Sequence, residues 1–125
     1  MSLRTPLARV RHLGSAKEGT GHWWAQRLTA IALVPLVVWF VASVVSLTGA
    51  DHAAVAAWLG NPLSAGLAIL LITATFYHAA LGLQVVIEDY VHHEGAKLAS
   101  LIVVKGLCVV LALTAVLAVL RLLFA

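Results

Sequence analysis

The chain is short, strongly apolar and weakly charged. It has 125 residues, of which 62% are hydrophobic and 10% are Asp, Glu, Lys or Arg, with a formal net charge of +3. Soluble domains carry about 25% charged residues, and so small a chain cannot bury this much apolar side chain within itself in water. Composition therefore excludes an ordinary soluble domain and indicates a membrane protein whose apolar surface is covered by lipid or a partner.

The residues ahead of the first apolar run form a basic arm, which contains Arg4, Arg9, Arg11 and Lys17. The arm has no apolar core segment and no small-residue cleavage pattern, so it does not resemble a signal peptide. A basic segment leading directly into a membrane helix is typical of a topology signal, although basic arms also bind nucleic acid. We expect residues 1–26 to be a cytoplasmic arm with no nucleic-acid partner.

Three apolar runs are long enough to cross a bilayer as α-helices. A hydrocarbon core of about 30 Å needs about 20 helical residues, and the runs cover residues 27–49, 63–87 and 98–123. Pro35 lies inside the first run, where we expect a kink because neighbouring membrane helices can satisfy the freed carbonyl. The connector between the first two runs carries a Gly-Asn-Pro turn signal and has room for a short helix on the membrane surface. The chain is therefore predicted to be an all-α integral membrane protein with three transmembrane helices in a single domain, residues 1–125.

Basic residues near the ends of the runs indicate the orientation. The arm holds four Lys and Arg residues, the first connector holds none, and Lys97 and Lys105 lie in or near the second turn. Cytoplasmic loops carry the excess of Lys and Arg. We therefore expect the N-terminus and the second turn in the cytoplasm and the C-terminus in the periplasm of a bacterial inner membrane. Arg121 alone argues for the opposite orientation.

His78 is the histidine predicted to lie deepest in the membrane. It precedes the acidic end of the second run by about ten residues, or about 15 Å at helical rise. A neutral imidazole at that depth can bind haem iron, relay protons or hydrogen-bond a neighbouring helix. Gly82 follows one turn later on the same face, where its missing side chain leaves clearance for a haem or for a closely packed helix. The other histidines are predicted to lie in the arm, the connector or the second turn, so a second axial ligand would have to come from a partner. Three helices are also few to enclose a haem.

Asp89 and Tyr90 end the second run at the predicted cytoplasmic boundary. A phenol can donate a hydrogen bond to a quinone carbonyl, and a nearby carboxylate can position water or pass protons. The alternative is an ordinary interfacial tyrosine beside an ordinary terminal acid. Arg27 opens the first run, where it either anchors the helix at the headgroups or pairs with an anion such as a haem propionate.

Two segments of the sequence resemble one family, the smaller hydrophobic membrane anchor of bacterial and mitochondrial-type succinate dehydrogenase. The segment RLTAI, which begins at Arg27, resembles the family's Arg-x-Thr-Ala-Ile start of the first helix. The second segment is HAALGLQVVIEDY, whose matching residues are His78, Gly82, Gln84, Val85, Asp89 and Tyr90. The length and the three spans agree as well, so the resemblance covers most of the chain.

The resemblance implies a role for each matching residue. It implies that His78 is an axial ligand of haem b iron, shared with a histidine of the larger, cytochrome b anchor of the complex, and that Arg27 lies near the haem propionates. It further implies that Tyr90 hydrogen-bonds a ubiquinone carbonyl and that Asp89 supports proton delivery. The three spans would then form half of a haem-binding helix bundle, and that second anchor subunit would supply the other half.

The resemblance implies a membrane anchor of succinate:quinone oxidoreductase, the respiratory complex II that joins the tricarboxylic acid cycle to electron transport. A flavoprotein subunit and an iron–sulfur subunit would deliver the electrons of succinate to ubiquinone, and this chain alone would have no catalytic activity. An anchor of a fumarate reductase or related quinone-linked dehydrogenase shares that chemistry. A structural assembly subunit without a cofactor is a third interpretation. A small transporter is disfavoured, because no mid-span acid or inverted repeat is present.

Overall fold

The computed structural model describes residues 5–11 and 19–125, apart from the side chain of Ala8. All regular structure in this part of the chain is helical, which confirms the all-α prediction. The five helices, in chain order, are α1 (Pro6–Val10), α2 (Gly19–Ser46), α3 (His52–Leu59), α4 (Pro62–Tyr90) and α5 (Glu94–Leu123). Helices α2, α4 and α5 are each long and apolar enough to cross a membrane, which confirms the three predicted spans.

The starts of the three later helices are fixed by side-chain caps. Asp51 accepts a hydrogen bond of 2.9 Å from the backbone N–H of Ala54 and begins α3, the short helix in the first connector. Asn61 accepts one of 2.9 Å from the N–H of Leu63, and Pro62 follows at the first position of α4. His93 Nδ1 accepts from the N–H of Ala96 at 3.2 Å and begins α5. Polar caps and an N-terminal proline satisfy or avoid the free N–H groups at a helix start.

The spans extend beyond the predicted boundaries where α2 and α5 begin and where α4 ends. Helix α2 begins eight residues before Arg27, at Gly19, so residues 19–26 of the predicted arm are helical. This extension contains Trp23 and Trp24, whose rings pack edge to face with their centroids 5.0 Å apart. Pro35 lies inside α2 and does not end it. Arg4 and Lys17 of the predicted arm lie outside the described residues.

Helix α4 is the centre of a single layer of helices. It packs against α2 on one side and α5 on the other, whereas the described residues of α2 and α5 do not contact each other. Helix α3 packs against α4 and α5 at the end of the layer where α4 begins. A small core of Ala65, Ala68 and Val119 lies at that end, surrounded by partly buried side chains that include Trp39. The position of α4 means that any site near its middle is bordered by both flanking helices.

Most apolar side chains of the spans face outward. No residue of α2 is buried, and Ile31 and Val34 are each 68% exposed. A helix can face lipid because its backbone N–H and C=O groups are hydrogen-bonded within the helix and its surface consists of apolar side chains. The layer therefore presents both faces to lipid or to other membrane helices.

Candidate functional site

The centre of the candidate site is a hydrogen bond between α2 and α4. The Nδ1 atom of His78 lies 2.9 Å from the hydroxyl oxygen of Thr29, and both residues are half-buried. His78 precedes the end of α4 at Tyr90 by twelve residues, which is about 18 Å along the helix axis. The structure therefore places the imidazole deep in the layer and turns it toward the first span.

The Thr29 hydroxyl has two further neighbours, both of them backbone carbonyl oxygens of its own helix. It lies 2.7 Å from the carbonyl oxygen of Ala25 and 3.1 Å from that of Gln26. Threonine in membrane helices commonly bonds back to the carbonyl four residues earlier. No described residue pairs with the other ring nitrogen of His78, Nε2.

Gly82 faces the same helix as His78. A Cβ atom at this position would lie 3.6 Å from Nε2 of the Gln26 side chain, an ordinary contact distance. Gly82 therefore lies at the seam, the line of contact between α2 and α4. The side-chain amide of Gln26 faces it from α2. That Gly82 leaves space for a haem beside His78 stays a prediction.

Two buried polar atoms near the start of α2 have no hydrogen-bond partner among the described residues. They are Nε2 of His22 and Oε1 of Gln26. Most buried polar groups in proteins are paired, so each unpaired one calls for a partner such as water or a bound group. Both atoms lie within two turns of Thr29 on α2, between the helix start and the imidazole.

Asp89 and Tyr90 lie in the last turn of α4, and both side chains are exposed. Eleven residues separate Asp89 from His78, which is about three helical turns, so the two point in nearly the same direction. Tyr90 points about 100° further round the helix axis and is 77% exposed. The structure thus aligns Asp89 with His78 and turns Tyr90 toward a neighbouring sector of the helix surface.

Arg27 is exposed in the first half of α2, eight residues after the helix begins at Gly19 and two residues before Thr29. Its guanidinium carbon lies 5.3 Å from the ring centroid of Trp23, within the range of a cation–π contact. Among the described residues it forms no ion pair. Its charge is therefore available to an anionic group at this end of the seam.

Two cavities adjoin α4, and His78 lines neither of them. One, of about 520 Å³, is an apolar groove between α4 and α5 that includes Phe76, Tyr77 and Cys108. The other, of about 720 Å³, is more polar and is bordered by all three long helices. Its polar side chains are His22, Tyr77, Gln84, Glu88 and Lys105.

Sequence reasoning missed Thr29 and Gln26 as parts of the site. Thr29 stands in the RLTAI segment, but the segment gives no indication of which side chain it meets. The available signal was a hydroxyl within a predicted membrane span, since such groups commonly hydrogen-bond across helices. His22 has no role among the sequence predictions, and its buried, unpaired Nε2 atom is the observation that brings it into the site.

Three helices that are each long and apolar enough to cross a membrane define a multi-pass α-helical membrane protein. A sequence model of the succinate dehydrogenase/fumarate reductase transmembrane subunit family matches residues 1–120. The chain therefore belongs to this family of membrane subunits.

Individual relatives carry the name succinate dehydrogenase hydrophobic membrane anchor subunit. The protein of Rickettsia conorii is 31% identical over 108 residues, which cover 86% of each chain. That of Rickettsia bellii is 33% identical over 102 residues, 82% of each chain. That of Paracoccus denitrificans is 33% identical over 98 residues, which cover 78% of this chain and 75% of the relative. No solved structure is significantly similar to the chain.

Proposed function

We propose that this chain is a membrane anchor subunit of a succinate:quinone oxidoreductase, in which it supplies one axial ligand of haem b and part of the ubiquinone site. The family supports the anchor role. The observation that carries the site is the imidazole of His78, which lies deep in the layer with Nδ1 bonded to Thr29 and Nε2 without a described partner. A metal-binding histidine commonly engages its second nitrogen in this way.

The donor set of the chain fits haem. The described residues hold no group of three or more His, Cys, Asp or Glu side chains that could ligate a metal ion. A single histidine is sufficient for haem, because the macrocycle supplies four nitrogens and the protein supplies only axial ligands. When bound, haem b would supply a one-electron redox centre.

The remaining contacts to haem would come from the first half of α2. Arg27 carries a charge without an ion-pair partner among the described residues, and it would hold a propionate. The unpaired Nε2 atom of His22, five residues earlier on α2, is a second candidate for that contact. The second axial ligand would come from a histidine of another anchor subunit.

The quinone site would lie at the cytoplasmic end of α4. The Tyr90 hydroxyl would donate a hydrogen bond to a ubiquinone carbonyl, and Asp89 would position water for proton transfer to the reduced oxygen. Both side chains are exposed in this chain, so the site would be completed by other subunits. Those subunits are the flavoprotein that oxidises succinate, the iron–sulfur subunit and the second anchor subunit.

Two other functions share parts of this site. An anchor of a fumarate reductase would use the same residues with the electrons flowing in reverse. A structural subunit without a cofactor would use His78 only to join α4 to α2, and the bond to Thr29 favours that role as well. Haem content separates the structural role from the proposed one.

The test is the reduced visible spectrum of the complex purified with its partner subunits in mild detergent. We expect His78→Ala to remove the b-type band or reduce it strongly while the subunits still co-purify. His52→Ala, which changes an exposed histidine in the first connector, is the matched control and should keep the full band. A full band in the His78→Ala complex would overturn the haem assignment.

A further inference from the structure

The Thr29 hydroxyl has three neighbours and only one hydrogen atom to donate. Two of the neighbours are the carbonyl oxygens of Ala25 and Gln26, at 2.7 and 3.1 Å, and the third is Nδ1 of His78 at 2.9 Å. A carbonyl oxygen can only accept a hydrogen bond, whereas an imidazole nitrogen can either donate or accept. The direction of each bond therefore follows from where the single hydrogen goes.

The short distance to Ala25 decides the direction. At 2.7 Å the two oxygens are at the usual separation of an O–H···O hydrogen bond. If the hydroxyl donated to His78 instead, both carbonyl oxygens would face its lone pairs at close range without an intervening hydrogen. The hydroxyl hydrogen therefore lies toward the carbonyls, and Nδ1 of His78 carries a hydrogen that it donates to Thr29.

We propose that Thr29 is a positioning residue that holds His78 in the Nδ1–H tautomer and aims its Nε2 lone pair at the haem iron. This inference rests on the proposed function, because it assigns a cause to the ligand geometry of that site. In a neutral imidazole only one ring nitrogen is protonated, so a hydrogen on Nδ1 leaves Nε2 free to coordinate. The contact also fixes the plane of the ring, since it ties the imidazole to a different helix.

A hydrogen-bond acceptor on the ring nitrogen away from the iron also changes the ligand's electronic character. Such a partner raises the basicity of the imidazole and strengthens its donation to iron. Loss of the acceptor should therefore weaken coordination and favour the reduced, less electron-demanding iron. The expected signs are faster loss of haem and a more positive midpoint potential.

The experiment uses the complete complex with Thr29→Val, which keeps the branched shape and removes the hydroxyl. Haem release to excess apomyoglobin and the haem midpoint potential are measured by absorbance. We expect release to be faster by a factor on the order of 10–100, the usual cost of losing such a partner, and the potential to move upward. Thr29→Ser restores the hydroxyl and should return both values close to those of the unaltered complex.

Thr114→Val is the matched control. Thr114 bonds back to the carbonyl of Val110 at 2.7 Å, as Thr29 does to Ala25, but no described side chain pairs with it. It should change neither readout. Unchanged release and potential in Thr29→Val, with the band lost in His78→Ala, would overturn the role of Thr29 and leave the proposed function intact. A band retained in His78→Ala would overturn both.

Assembly provides a further outcome. Thr29→Ala offers a smaller side chain should valine prevent the complex from forming. If neither the valine nor the alanine complex assembles while the serine complex does, the hydroxyl acts in helix packing and the proposal is overturned. If either complex assembles, the release rate and the potential decide.

Discussion

His78 and Thr29 are 49 residues apart in the sequence, yet their side chains meet inside the layer of spans. The sequence left helix bridging and haem ligation as competing roles for the histidine. The geometry makes them compatible, because the two ring nitrogens are separate groups and one of them suffices for the bridge. Under the proposed function, the hydrogen bond to Thr29 would serve both as a contact between two helices and as a support for His78 as a haem ligand.

Tyr90→Phe should lower succinate–quinone turnover with haem content and subunit assembly unchanged. The substitution removes one hydrogen-bond donor at an exposed position, and a typical hydrogen bond contributes about 1 kcal/mol, which is a factor of about five. Turnover is measured with a soluble ubiquinone analogue and compared with succinate oxidation by an artificial acceptor that bypasses the anchor.

The control for Tyr90 is Tyr77→Phe, an exposed tyrosine one residue before His78 on the same helix. It should leave turnover unchanged. Equal turnover of the Tyr90→Phe and unaltered complexes would remove Tyr90 from the quinone site.

At the scale of the elements, helix existence was predictable from the sequence and helix ends were less so. The three apolar runs gave the spans, because twenty apolar residues have few other stable arrangements in a bilayer. The extension of α2 back to Gly19 was not predicted, because its polar and aromatic residues do not continue the apolar run. The cap at His93 and the ion pair of Lys97 with Glu94, at 3.3 Å, likewise begin α5 before the apolar run starts.

Gly60, the C-cap residue of α3, lies in close contact with the end of α5. A Cβ atom there would lie 3.0 Å from the carbonyl oxygens of Ala56 and Leu122, which are backbone atoms and cannot rotate away. Its own backbone conformation is right-handed helical, which any residue adopts. The requirement for glycine is therefore steric, at the contact between α3 and the end of α5.

Gly60→Ala should destabilise the complex by about 1–3 kcal/mol, the usual cost of overpacking. Thermal denaturation followed by tryptophan fluorescence is a suitable measurement, because Trp58 of α3 stacks on Trp39 with ring centroids 5.8 Å apart. Gly66→Ala is the control, since no atom lies within 4 Å of its added Cβ. Equal midpoints for the two variants would show that the contact at Gly60 has no energetic weight.

At the scale of the whole molecule, three spans and their order follow from hydropathy, whereas the arrangement of the helices does not. Pairing of Thr29 with His78 depends on the rotation of α2 and α4 about their axes, and a nearly uniform apolar surface leaves that rotation unspecified. The sequence also did not predict that α4 lies between the other two spans, because each span has exposed apolar residues on several sides. Those features are set by tertiary packing and by the few polar groups at the seams.

The predicted orientation has a direct test in intact cells. In a Cys108→Ser background, which removes the single native cysteine, His52→Cys should react with a membrane-impermeant maleimide and His92→Cys should react only after the membrane is opened. Both positions are exposed in turns or at helix starts on opposite sides of the spans. The reverse labelling pattern would invert the topology and remove Tyr90 from the cytoplasmic face.

The separation of α2 from α5 affects how readily an unassembled copy of the chain is degraded. Among the other long helices, the first span contacts only α4. Few contacts therefore oppose its separation from the other two spans within the bilayer. A partner that lies across the layer would clamp α2 and α5 at the same time. Copies made in excess of that partner should therefore be the ones that membrane proteases remove first.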